Sequence, residues 1–126
     1  MSGTIYPNQL HGRHIRILEL LPGDPSEEVC CRLEERFLDD LPSYNALSYV
    51  WGDSRVKESI SCNGQRMDVT TNLADALRTL RPSSATWVWA DAICINQDDV
   101  LERNSQVQLM KEVYSKAEKV AIWLGK

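Results

Sequence analysis

Apolar and polar positions alternate along the first part of the chain, and two short runs, His14 to Leu21 and Glu28 to Phe37, have strand character. In the first, Ile15 and Ile17 share one face before the alternation blurs at Leu18; in the second, Val29, Cys31 and Leu33 alternate with mostly polar neighbours. Pro22-Gly-Asp-Pro25 between them is a turn, so the pair predicts a hairpin. The polar bend Asp39-Asp-Leu-Pro-Ser43 then precedes Tyr44-Asn-Ala-Leu-Ser-Tyr-Val-Trp51, a buried-strand candidate stopped by Gly52-Asp53. A second hairpin is expected from Ser59 to Val69, because Asn63-Gly64 at its centre suits the positive φ angles of a type I′ turn.

The period then changes. Leu73, Ala76, Leu77 and Leu80 fall at i, i+3, i+4 and i+7, which predicts a helix capped by Thr70 or Thr71 and stopped by Pro82. Trp87 to Ile95 is apolar on both faces and reads as a central strand delivering Asn96 and Gln97 at its end. Asp91 interrupts that run. A carboxylate there must be held by an Arg or a backbone amide, or else belong to a functional site. Asp98 or Asp99 can cap a second helix with Val107, Met110, Val113 or Tyr114, and Ala117 on its inner side, and Lys119 to Gly125 closes as a strand.

Strands and helices alternating from Tyr44 onward predict an open α/β sheet, with the hairpins added at its edge or ends. Ligands bind such sheets beyond the carboxyl ends of the strands, where the strand order reverses. If the strands ending at Trp51 and Ile95 are neighbours there, Gly52-Asp53 and Asn96-Gln97-Asp98 converge on one crevice.

Composition narrows the function classes. The 126 residues suffice for one domain with its own core, and 43% apolar with 25% charged residues is an ordinary globular balance. A formal charge of −4 offers no basic footprint, which argues against nucleic acid as a partner. No apolar stretch approaches the roughly 20 residues of a membrane span, and residues 1–14 lack the apolar core of a signal peptide, so a cytoplasmic setting is expected. Residues 1–13 read as poorly ordered. Cys30, Cys31, Cys62 and Cys94 form no C-x-x-C pair and read as reduced thiols. No spacing suits a metal, and a Cys94 nucleophile would have to draw on His11 or His14 near the terminus.

Five ordered blocks resemble the fungal HET (heterokaryon incompatibility) domain: Tyr44-Asn-Ala-Leu-Ser-Tyr-Val-Trp-Gly-Asp53, Val69-Thr-Thr-Asn-Leu73, Trp89-Ala-Asp-Ala-Ile-Cys-Ile-Asn-Gln97, Glu102-Arg-Asn-Ser-Gln-Val107 and Trp123-Leu-Gly125. The resemblance implies a single HET domain over residues 1–126 at the front of a longer protein, acting in non-self recognition and programmed cell death. It also implies self-association and other death-signalling proteins as partners. The family is similar, more remotely, to TIR domains. That implies a flavodoxin-like, mostly parallel sheet with helices on its faces, and NAD as a substrate whose nicotinamide–ribose bond is cleaved, with no cofactor required.

On the TIR pattern the helix after Gln97 carries the catalytic glutamate, which makes Glu102 the candidate. Glycosidic cleavage builds positive charge on the ribose, and a carboxylate beside it stabilises that charge. Trp51 would stack a ring, Gly52 and Asp53 would lie beside it, Asn96 and Gln97 would orient polar groups, and Arg103 would meet a phosphate. Each residue also has a plainer role. Asp99-x-x-Glu102 has capping-box spacing, Asp53 follows Gly52 as turn residues do, and Arg103 fits a solvated helix face. A non-enzymatic module that recruits death effectors is therefore the alternative to an NAD glycohydrolase.

Overall fold

A computed structural model describes residues 5–24, 26–49, 55–81 and 86–123. β1 (His14–Leu20) and β2 (Cys30–Phe37) form the first hairpin, in register from His14 opposite Phe37 to Leu20 opposite Cys31. β3 (Asn45–Tyr49) follows, then β4 (Lys57–Cys62) and β5 (Gln65–Thr70), which turn on Asn63 and Gly64 with φ of 54° and 75°. The remaining elements are α1 (Thr71–Leu80), β6 (Thr86–Trp89), α2 (Asp91–Cys94), α3 (Val100–Lys116) and β7 (Lys119–Trp123). The expected caps are in place at both longer helices: the Thr70 hydroxyl accepts from the Leu73 amide at 3.3 Å, and the Asp99 carboxylate accepts from the Glu102 amide at 3.1 Å.

The strands form one sheet in the order β5-β4-β2-β1-β6-β3-β7. It is a mixed α/β fold, and the expectation of a mostly parallel sheet is corrected. β2·β4, β3·β6 and β3·β7 are parallel, but the two longest ladders, β1·β2 and β4·β5, are antiparallel, as is β1·β6. The cause is the placement of the first hairpin. It is spliced into the middle of the sheet rather than added at an edge, with Leu18 of β1 opposite Val88 of β6. Ile15, Ile17, Leu18 and Leu20 are all buried, so the blurred alternation at Leu18 marks a strand covered on both faces. The second hairpin does lie at the edge.

Two further differences concern the second half. The run from Trp87 to Ile95 does not stay extended: β6 ends at Trp89, and the Cys94 amide donates to the Ala90 carbonyl at 2.8 Å in the short turn of α2. Ile93 and Cys94 are nevertheless buried. A segment apolar on all sides satisfies a buried helical turn as well as a buried strand, so periodicity cannot separate them. On α3 the inner side is Glu102, Gln106 and Val113, while Val107 is 56% exposed. The inner stripe begins with polar side chains, and counting apolar positions alone therefore chose the wrong one at Val107. Among the described residues no helix is long and apolar enough to cross a membrane.

Candidate functional site

Glu102 lies on the first turn of α3, and its side chain is fully buried. Its Oε2 takes hydrogen bonds from Arg16 Nη1 at 2.7 Å and from the Asn96 amide at 2.7 Å. Its Oε1 takes them from Arg16 Nη2 at 2.8 Å and the Leu10 amide at 3.2 Å. A carboxylate has about four acceptor positions, and four donors fill them here. Burial pushes the Glu102 carboxyl up, but the hydrogen bonds from Arg16, Asn96 and Leu10 outweigh it and hold the group below the usual glutamate range.

Arg16 completes the junction. Its guanidinium also donates to the Cys94 carbonyl at 3.2 Å and the Asn8 carbonyl at 2.7 Å, and it lies 4.8 Å from the centre of the Tyr6 ring. One ion pair thus ties together the segment before β1, β1 itself, the end of α2, the turn at Asn96 and the start of α3. The capping-box spacing is only half realised. Asp99 caps α3, but the Asp99 amide donates to the Asn96 carbonyl rather than to Glu102.

Beside this junction a cleft of ≈ 300 Å³ opens at the carboxyl ends of β3 and β6. Tyr49 comes from the end of β3, and Lys57, Met67 and Asp68 come from the second hairpin. Asn96, Gln97 and Asp98 come from the α2–α3 connection, and Tyr6 from the amino-terminal segment. Gln97 Nε2 donates to the Asp91 carbonyl at 2.9 Å, and Asn96 Oδ1 accepts from the Asp98 amide at 3.2 Å, so the connection is braced from within. Tyr6 donates its hydroxyl to the Ile93 carbonyl at 2.7 Å. Burial raises the Tyr6 and Tyr49 hydroxyls above their usual values, so both are neutral donors near neutral pH. Aromatic and thioether surface with one lysine and several amides and carboxylates suits a ligand that is flat on one side and polar at its rim.

The candidate residues divide as follows. Asn96 and Gln97 reach the cleft, Glu102 sits behind it in the ion pair, and Arg103 is exposed on α3 away from the cleft lining. Trp51, Gly52 and Asp53 lie outside the described residues. Asp91 is the first residue of α2, where burial raises its carboxyl and the Ala92 amide partly offsets that. Burial pushes the Cys94 thiol up to about 12, which removes the thiolate a nucleophile needs. Arg16, Tyr6, Tyr49 and Lys57 were not singled out from the sequence. Arg16 had a readable signal, since a guanidinium inside an apolar strand demands a buried acceptor just as Asp91 demanded a donor.

The family described as Heterokaryon incompatibility protein (HET) matches residues 44–126. The chain is similar to the Heterokaryon incompatibility protein 6, OR allele, of Neurospora crassa, with 39% identity over 127 residues covering 89% of this chain. It spans 19% of the length of that relative. No solved structure matches.

Proposed function

Because this chain belongs to the heterokaryon incompatibility (HET) family, we propose that it acts in fungal non-self recognition by triggering cell death, and that the cleft is its working surface. The observation that carries this is a convergence. Tyr49, then Val69, Thr70 and Leu73, and the pair Asn96 and Gln97 belong to three separate blocks of the family resemblance, and all border this one cleft. Glu102, from a fourth block, anchors the Asn96 turn from behind. In this reading Glu102 positions the site and does not react, since its acceptor positions are taken. The domain self-associates and recruits death-signalling proteins.

A second reading, NAD cleavage by a TIR-like core, draws support from the parallel trio β6-β3-β7 and from the cleft lying at the carboxyl ends of β3 and β6. There the carboxylates at the rim, Asp68 and Asp98, are better placed to meet a ribose than Glu102.

Induced expression in a filamentous fungus of the full-length protein carrying this domain tests both. Death of hyphal compartments with the wild type and survival with a Tyr49→Ala/Gln97→Ala variant that remains folded support the proposal. Equal death with both, or survival with the wild type, removes it. Cellular NAD followed before viability falls separates the readings: loss of NAD with release of nicotinamide establishes cleavage, and constant NAD leaves the signalling module.

A further inference from the structure

We propose that Cys31 and Cys62 form a redox pair that a hydroperoxide oxidises to a disulfide across β2 and β4, fixing one wall of the cleft. The two cysteines are register partners in the parallel pairing of these strands. Neighbouring strands lie about 4.7–4.9 Å apart, within the Cα separation of about 4.4–6.8 Å that a disulfide spans. Register partners also point to the same side of a sheet. Both side chains are buried, and each thiol perturbs the acidity of the other. The two thiols titrate as a coupled pair, so one ionises ahead of the other and that sulfur is the nucleophile.

The position of the pair gives it a consequence. The second hairpin is joined to the rest of the sheet through the short ladder Cys30 with Ser61 and Cys31 with Cys62. The bonds across it are Ser61 amide to Val29 carbonyl at 2.9 Å, Asn63 amide to Cys31 carbonyl at 3.0 Å, and Leu33 amide to Asn63 Oδ1 at 2.8 Å. This hairpin supplies Lys57, Met67 and Asp68 to the cleft. A disulfide at Cys31 and Cys62 would replace a ladder that can open with a covalent link. Both thiols are buried, so an oxidant reaches them only when the ladder opens, and the rate of oxidation reports that opening.

The chemistry balances with the peroxide as sole oxidant. One of the two sulfurs attacks one oxygen of the hydroperoxide, the O–O bond breaks, and the other oxygen leaves with the thiol proton, as water from hydrogen peroxide or as an alcohol from an organic hydroperoxide, giving a sulfenic acid. The other cysteine sulfur then attacks the sulfenic sulfur, the S–O bond breaks, and water carries away the hydroxyl and the second thiol proton. Two thiols lose two electrons in all, and the peroxide gains them.

The test treats the purified protein with hydrogen peroxide and maps its peptides without reduction, with fragmentation to resolve Cys30 from Cys31. The expected result is a Cys31–Cys62 link reversed by dithiothreitol, formed in the Cys30→Ser and Cys94→Ser proteins and absent from Cys62→Ser. The linked protein should melt higher, by on the order of 10 °C. Because the wild-type map is decisive alone, a Cys62→Ser protein that fails to fold does not obscure the answer. Free Cys31 and Cys62 after Cys30 is fully oxidised, a link from Cys62 to Cys30 or Cys94, or a Cys31–Cys62 link with unchanged Tm would overturn the proposal.

Discussion

Arg16, on β1, and Glu102, on the first turn of α3, meet in the interior as a two-pronged ion pair, with Nη1–Oε2 at 2.7 Å and Nη2–Oε1 at 2.8 Å. The residues are 86 positions apart in sequence, so the pair joins the central strand to the helix that crosses toward β7. A buried ion pair gives little net stability over well-packed apolar side chains, but losing one member strands the other charge. Its use here is specificity of arrangement: it gathers the Asn8 carbonyl, the Leu10 amide, the Cys94 carbonyl and the Asn96 amide around one point.

The first prediction follows from that asymmetry. Glu102→Ala and Arg16→Met should each cost about 3–5 kcal/mol in chemical unfolding, because each leaves an uncompensated buried charge. The double variant should cost clearly less than the sum of the two. Additive losses would mean that the two side chains do not depend on each other.

Acid should act on the same junction. The Glu102 carboxyl is held below its unfolded value of about 4.3, so its contribution is fully present above that value and is lost as pH falls through the lower folded one. Asp39 and Glu112 beside Arg13 are also lowered, but they are surface pairs screened by solvent and contribute little. Urea denaturation from pH 7 to 2 should show the stability difference between the wild type and Glu102→Ala level above about pH 5 and shrinking below it.

Asp91 carries the opposite sign. Burial raises its carboxyl, so the ionised form costs stability in the folded protein above the unfolded value and the cost fades as acid protonates it. Asp91→Asn should therefore raise Tm at pH 7 and lose that advantage at pH 3. A lower Tm at pH 7 would show that the charge itself is held by the start of α2.

Tyr6 separates two contributions within the segment before β1. Tyr6→Phe removes the hydroxyl bond to the Ile93 carbonyl but keeps the ring under Arg16, and should cost about 1 kcal/mol. Tyr6→Ala also removes the ring and should cost more, with a further loss of roughly 1–2 kcal/mol for a desolvated cation–π contact. Equal costs for the two variants would contradict the contact with Arg16.

The strands of both hairpins, the cap of α1 at Thr70 and the cap of α3 at Asp99 were legible because each is a local signal carried by neighbouring residues. The sheet order was not. Where β1 sits depends on which strand pairs with β6, and the only trace of that in the sequence is the loss of alternation at Leu18, the mark of a second covered face. The same limit applies at Asp91, where an apolar run fits strand and buried turn equally. Asn96 and Gln97 were readable as candidates because amides end an apolar run, and both line the cleft. The opposite wall was hidden, since Tyr49, Lys57 and Met67 reach the cleft only through the fold of distant strands.

The central claim, that Glu102 organises the cleft and takes no part in chemistry, is tested most directly by hyphal death in a strain expressing Glu102→Gln at two temperatures. Circular dichroism of the purified variant fixes which temperature leaves it folded. Death should persist at the temperature where the variant is folded and vanish where it unfolds. A folded variant that never kills, while the wild type does, would contradict the account and return Glu102 to a reacting role.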